Sequence, residues 1–180
     1  MHDLSDEVIM DRVLTGALNE LTELFDRYQS PIYNYLVKQC RDRELAADLC
    51  QSVFERVIKY RRSFHADRSF KSWIYQIARN LLKDHWKKNQ ALVSDYTDLN
   101  EIEGKMQDGQ ALAEERERNE ALYEVMDQLS EERKELLVLS KFQGLKYEEI
   151  SEITGMSVAA IKVNIHRAVK QMRALYFATT

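Results

Sequence analysis

Apolar positions recur at intervals of three and four over most of this 180-residue chain. That is the spacing of one helix face rather than the alternation of a half-buried strand. Ser5 stands where it can cap a first helix, with Asp6 and Glu7 in its first turn. Leu18, Leu21, Leu24, Phe25 and Tyr28 continue the helical spacing. Pro31 then sits where a new helix can begin, with Ser30 as its cap and Tyr35, Leu36 and Val37 further along. Asp42 is placed to cap "RELAADLCQSVFERVIKY", in which Leu45, Leu49, Val53 and Val57 form a buried stripe. Asp48, Gln51 and Glu55 lie off that stripe. After a basic loop, "RRSFHADRS", the helix "FKSWIYQIARNLLKDHWKK" is predicted to bury Phe70, Trp73, Ile74, Ile77 and Leu81. Arg79, Lys83 and Lys87 fall at four-residue intervals on another side.

From Asn89 to about Asn119 the apolar periodicity fades, and "SDYTDLNEIEGKMQDGQ" combines two glycines with many acids. A loop of that length is uncommon inside a compact domain, so the stretch reads as a partly extended linker. The expected organisation is one helical domain over residues 1–90, an acidic linker over 91–118 and a second helical domain over 119–180. The fold class is therefore all-α. In the second domain Leu122, Val125, Met126 and Leu129 share a face, Ser130 caps "EERKELLVLSKF" and Gly144 stops it. The next stretch, "EEISEITGMSVAAIKVNIHRAVKQ", has the layout of a helix-turn-helix. Ser151 is small where a second helix must cross, and Gly155 makes the turn. Ser157 caps the second helix, and Met156, Ile161, Ile165 and Met172 anchor it.

Composition adds boundaries. The chain is 44% hydrophobic and 31% charged, with five Gly and one Pro, which suits a mostly helical protein. No apolar run approaches the roughly 18 residues of a membrane span. The acidic start "MHDLSDEVIM" lacks the basic opening of a signal peptide. Both features point to the cytoplasm and away from membrane insertion. Cys40 and Cys50 make no disulfide framework, and Cys50 reads as a small buried residue. The four histidines are scattered without metal-ligand spacing. With no Gly-rich phosphate loop and no nucleophile motif, we expect no catalytic residue, metal or cofactor.

Charge is more informative than its total of −4. Residues 31–88 carry 13 Lys/Arg against 6 Asp/Glu, whereas residues 89–120 carry 3 against 9. Residues 158–180 carry four bases (Lys162, Arg167, Lys170 and Arg173) and no acid. Two basic segments separated by an acidic one fit two contacts with a polyanion.

"LSEERKELLVLSKFQGLKYEEISEITGMSVAAIKVNIHRAVKQMR" resembles region 4 of bacterial sigma factors. "RELAADLCQSVFERVIKYRRSF" followed by "FKSWIYQIARNLLKDHWKK" resembles their region 2. Together they are similar to the extracytoplasmic-function (ECF) sigma factors of the sigma-70 family, which keep only these two domains. The resemblance implies binding to core RNA polymerase, recognition of −35 and −10 promoter elements, and control by an anti-sigma factor. It carries polymerase contact to Asp48, Gln51, Phe54 and Glu55. It carries −10 DNA contact to Arg61, Arg62, Phe64, His65 and Arg68 in the loop, and to Arg79, Asn80 and Lys83 on the helix after it. Extruded bases need stacking surfaces and a cationic track, which these residue types supply. The −35 set is Ser157, Ala159, Ala160, Lys162, Val163, Asn164, His166, Arg167 and Lys170. Where the family often has Gly-Thr-Val-Lys-Ser-Arg, this chain has "AAIKVN". Lys162 is kept and Val163-Asn164 replaces the Ser-Arg pair, which bears on base contacts rather than on the fold.

Two other readings stay open on the residues alone. A regulator binding operator DNA without polymerase would use the same helix-turn-helix, but has no need of the Asp48–Gln51 helix. A helical adaptor binding only protein would carry balanced charge on its last helix, and residues 158–180 have no acid.

Overall fold

A computed structural model describes residues 4–93 and 113–179, with side-chain surroundings for 4–91 and 119–178. Every regular element among them is helical. The chain divides near residue 99 into two compact units. The central part of the expected acidic linker, residues 94–112, lies outside the described residues. At its margins the expectation changes, because one helix runs on to Val93 and the next begins at Ala113.

The first unit is built from α1 (Asp6–Leu14), α2 (Leu21–Cys40), α3 (Arg43–Tyr60) and α4 (Phe70–Val93). Ser5 caps α1 by accepting from Val8 N, and Asp42 caps α3 by accepting from Leu45 N at 3.0 Å. Helix α3 packs against α2 and α4, and α1 packs against the same two. Polar bonds fix α1 in place. Both oxygens of the Asp6 carboxylate accept from α2, one from Arg27 at 2.7 Å and the other from the Tyr28 hydroxyl. Glu7 accepts from the Phe70 backbone N–H at 3.1 Å, at the start of α4.

Two expectations are corrected by these helices. No helix starts at Pro31, and Ser30 caps nothing, because α2 runs through both without a break. Proline removes one backbone bond and costs about 3 kcal/mol inside a helix. Leu24 and Tyr28 before it, and Ile32, Tyr35 and Leu36 after it, are all buried. Each such side chain contributes roughly 1.5–3 kcal/mol, so together they outweigh the lost bond. The buried stripe of α4 is also rotated by about one position. It consists of Phe70, Ile74, Tyr75, Ala78 and Leu82, while Trp73, Ile77 and Leu81 are half-buried at its edge. On α3 the expected stripe is found at Leu49, Val53 and Val57, with Cys50 buried beside it and Leu45 half-buried.

The later part of the chain forms α5 (Ala113–Asp127), α6 (Glu131–Leu137), α7 (Tyr147–Thr154) and α8 (Val158–Thr179), and the second unit comprises residues 100–151 and 155–180. Ser130 caps α6 by accepting from Arg133 N. Helix α6 continues into a π-helical turn, Val138–Phe142, closed by Gln143 N donating to Val138 O at 2.9 Å. Gly144 then reverses the chain at φ +66°, as the sequence led us to expect. Helices α5 and α6 pack on α8. Val125, Met126 and Leu129, then Leu136 to Leu139, and Ile161, Ile165 and Ala168 supply buried side chains.

Candidate nucleic-acid interface

The helix-turn-helix is closed by local bonds that its residue types dictate. Helix α7 starts after Lys146, whose backbone N–H donates to Glu149 Oε2 at 2.7 Å. It ends at Gly155, which has φ +77° and donates its N–H to Ser151 O. The Ser151 hydroxyl spans the turn by donating to Met156 O at 2.6 Å. Ser157 then caps α8 by accepting from Ala160 N at 3.2 Å. A small hydroxyl residue at 151 therefore does more than make room, since it ties the two helices together.

Helix α8 divides cleanly into two sides. Ile161, Ile165 and Ala168 are buried, with Met172 half-buried. Lys162, Val163, His166, Arg167 and Lys170 are exposed, as are Ser157 and Ala159 before them. Val163 is 48% accessible, an apolar side chain left on a cationic surface. Ala160 and Asn164 are half-buried, and Asn164 Nδ2 donates to Ala160 O at 3.1 Å within its own helix. The exposed side thus offers cations, one imidazole and a methyl-bearing contact, which is the equipment for phosphates, base edges and thymine methyl groups.

In the first unit the basic loop between α3 and α4 begins with a 3₁₀ turn at Arg61–Ser63. Arg62, His65 and Arg68 are exposed, and Arg61 is half-buried with its guanidinium donating to Ile58 O at 2.7 Å. Phe64 departs from its expected position as an accessible stacking surface. It is 4% accessible, with ring centroids of Phe70 at 5.9 Å and Trp73 at 5.3 Å. An apolar ring in a polar loop is more stable folded beneath it than in water. Trp73 is the member of this aromatic group that stays half-exposed beside the loop. Its three-residue spacing from Phe70 places Trp73 in the expected buried stripe, and the rotation of that stripe is what leaves it at the margin. On α4, Arg79 and Lys83 are half-buried and Asn80 is exposed.

On α3, Asp48, Gln51 and Glu55 are exposed together, and Gln51 Nε2 donates to Glu55 Oε1 at 3.0 Å. Phe54 is half-buried and its ring lies 4.7 Å from that of Phe25 on α2. The polar residues therefore sit beside a partly exposed aromatic pair, of which the sequence pattern gave only Phe54.

Among the described residues no group of three or more His, Cys, Asp or Glu is placed to hold a metal ion. None of their helices is long and apolar enough to cross a membrane.

Comparison with known proteins gives both units a family. Residues 24–92 match the Sigma-70 region 2 family model, and residues 119–172 match that of Sigma-70, region 4. The ECF RNA polymerase sigma factor SigM of Bacillus subtilis is 31% identical over 157 residues, covering 87% of this chain and 94% of SigM. The ECF RNA polymerase sigma factor BldN of Streptomyces coelicolor is 28% identical over 174 residues, which span 93% of this chain but 64% of BldN. Among solved structures, CnrH in complex with the cytosolic domain of CnrY superposes with a TM-score of 0.76 at 19% identity, covering 97% of this chain and 99% of CnrH. RpoE of Bartonella quintana, in complex with the anti-sigma factor NepR, gives 0.70 at 19% identity, with 87% and 96% covered. At that identity the two structures speak for the fold alone. With both region models in order along one chain, and a relative of 31% identity matched over nearly its whole length, this protein belongs to the extracytoplasmic-function RNA polymerase sigma factors of the sigma-70 family.

Proposed function

We propose that this chain initiates transcription by carrying promoter specificity to core RNA polymerase, as a binding factor rather than an enzyme, in the cytoplasm. Helix α3 docks on the polymerase through Asp48, Gln51 and Glu55, with Phe54 behind them. The loop from Arg61 to Ser69 and the outer side of α4 take the −10 element. Arg62, His65, Arg68 and Lys83 hold its phosphates, and Trp73 rather than Phe64 is the aromatic available for a base. Helix α8 enters the major groove at the −35 element. The observation that carries this reading is the acid-free exposed side of α8, set on a helix-turn-helix in the same chain as the polar α3 surface. RpoE, which shares this fold, is held by an anti-sigma factor. We infer that an anti-sigma factor of similar role governs this chain by covering its polymerase-binding surface.

The test is transcription reconstituted with core polymerase on a promoter library, using wild type and the Asp48→Ala/Gln51→Ala double variant. Wild type should select a −35/−10 pair. The variant should need roughly fivefold more protein, equivalent to about 1 kcal/mol of core affinity, with unchanged helical content. Promoter binding by wild type that is equally tight and selective without core polymerase would favour an operator-binding regulator instead.

A further inference from the structure

The Lys162 ammonium lies over the Tyr147 ring, 6.0 Å from its centroid. The two residues come from different helices of the same motif. Tyr147 opens α7 and Lys162 stands in the second turn of α8. We infer that Tyr147 is a positioning residue for promoter reading. Its ring holds the one cation in the first turns of α8 so that the ammonium meets a −35 base edge at a fixed place. The inference rests on the assignment of α8 to the −35 element.

The tyrosine is a firm platform. The backbone just before it is held by Lys146 N–H donating to Glu149 Oε2 and by Ile150 N donating to Lys146 O at 3.0 Å. Leu145 and Ile150 on either side of it are buried. Lys162 has the same kind of footing, because its neighbour Ile161 is fully buried while Lys162 itself is exposed. A lysine stem has four rotatable carbons and an otherwise broad choice of conformations. An aromatic face within about 6 Å attracts the cation and narrows that choice before DNA arrives. Two further features bear on the geometry. Glu148 and Glu149 stand in the first turn of α7 beside Tyr147, and Glu149 is engaged with the Lys146 backbone. Val163, next to Lys162, is exposed and has no charge with which to take over its role. An arene face offers the ammonium no acceptor oxygen, unlike a carboxylate, and leaves its charge unneutralised. An ammonium has three donors, so those turned away from the ring stay available for guanine O6 and N7.

The test is selection from promoters randomised in the −35 element by the full chain on core polymerase. Four variants are compared with wild type: Tyr147→Phe, Tyr147→Leu, Lys162→Ala, and Tyr147→Leu combined with Lys162→Ala. Lys162→Ala should relax preference at one −35 position. Tyr147→Leu should relax the same position by about two- to fivefold, the range of an exposed cation–π contact. Tyr147→Phe should keep the wild-type preference, and adding Tyr147→Leu to Lys162→Ala should have no further effect on it. Equal losses from Tyr147→Phe and Tyr147→Leu would overturn the inference, since the hydroxyl would then be the working group. Additive losses in the double variant would also overturn it. If Lys162→Ala leaves every −35 preference unchanged, the reading role of α8 itself fails, which is a separate outcome from failure of Tyr147 alone.

Discussion

Tyr28 shows how single side chains hold the first unit together. Its hydroxyl donates to Asp6 from a largely buried position, and Arg27 donates to the other Asp6 oxygen. Burial, then the bond to Asp6 and its charge, push the Tyr28 phenol well above its ordinary value. The folded chain therefore keeps this proton at alkaline pH, while the unfolded chain releases it near pH ~10. A raised folded-state value means that the contribution is whole below that pH and declines as pH rises through it. Stability should fall with pH above about 10, and Tyr28→Phe should flatten that fall while costing about 1–2 kcal/mol at neutral pH. Urea midpoints across the alkaline range, for both proteins, measure the two effects together. Burial pushes the Cys50 thiol in the same direction, so Tyr28→Phe should reduce the alkaline slope without abolishing it.

Among the elements, the turn between α7 and α8 is the most exacting. Gly155 holds φ +77°, and a Cβ built there would meet no atom within 4 Å. Alanine at this position is therefore opposed by its own backbone and not by a neighbour. Gly155→Ala should cost about 1–2 kcal/mol, the penalty of a side chain in left-handed conformation. Gly155→Asn should cost less, because asparagine tolerates that region. Thermal unfolding of the two variants orders them. Helix α2 makes the opposite point, since Pro31 satisfies every local sign of a helix start and yet lies in mid-helix. A proline is a local cost, and buried side chains on both sides of it can exceed that cost.

At the scale of the molecule, the chain consists of two units, each with buried apolar residues of its own. Met126 is fully buried in the second unit. Met126→Ala should cost about 2–5 kcal/mol there through lost burial and the cavity left behind. Hydrogen exchange should then quicken mainly in α5, α6 and α8, with the amides of α1 to α4 much less affected. Uniform loss of protection across both units would contradict separate cores. Charge is arranged at this scale too. The chain is acidic in total, yet its cations are concentrated in residues 31–88 and 158–180. The acidic total therefore does not describe either basic segment, whose local charge is of the opposite sign.

Much of this was legible in the residues themselves because it depends on interactions spanning three or four positions. Ser5, Asp42, Ser130 and Ser157 each accept from a backbone N–H three residues on, and Gly144 and Gly155 take positive φ at helix ends. The two-sided character of α8 follows from the same short range, since residues 161, 165 and 168 repeat at helical spacing. Tertiary packing alone settled what depends on a distant partner. A helix with apolar residues at 73, 74, 77, 78, 81 and 82 can turn either edge of its stripe inward, and about 100° per residue separates the choices. The cover of α1 and α3 over α4 selected Ile74, Ala78 and Leu82. Likewise, whether Phe64 faces solvent depended on Phe70 and Trp73 lying beneath its loop, and the meeting of Lys162 with Tyr147 on the angle at which two helices cross. Sequence spacing specifies a helix and its faces, but the neighbour that a face meets is set by long-range burial, which no local pattern encodes.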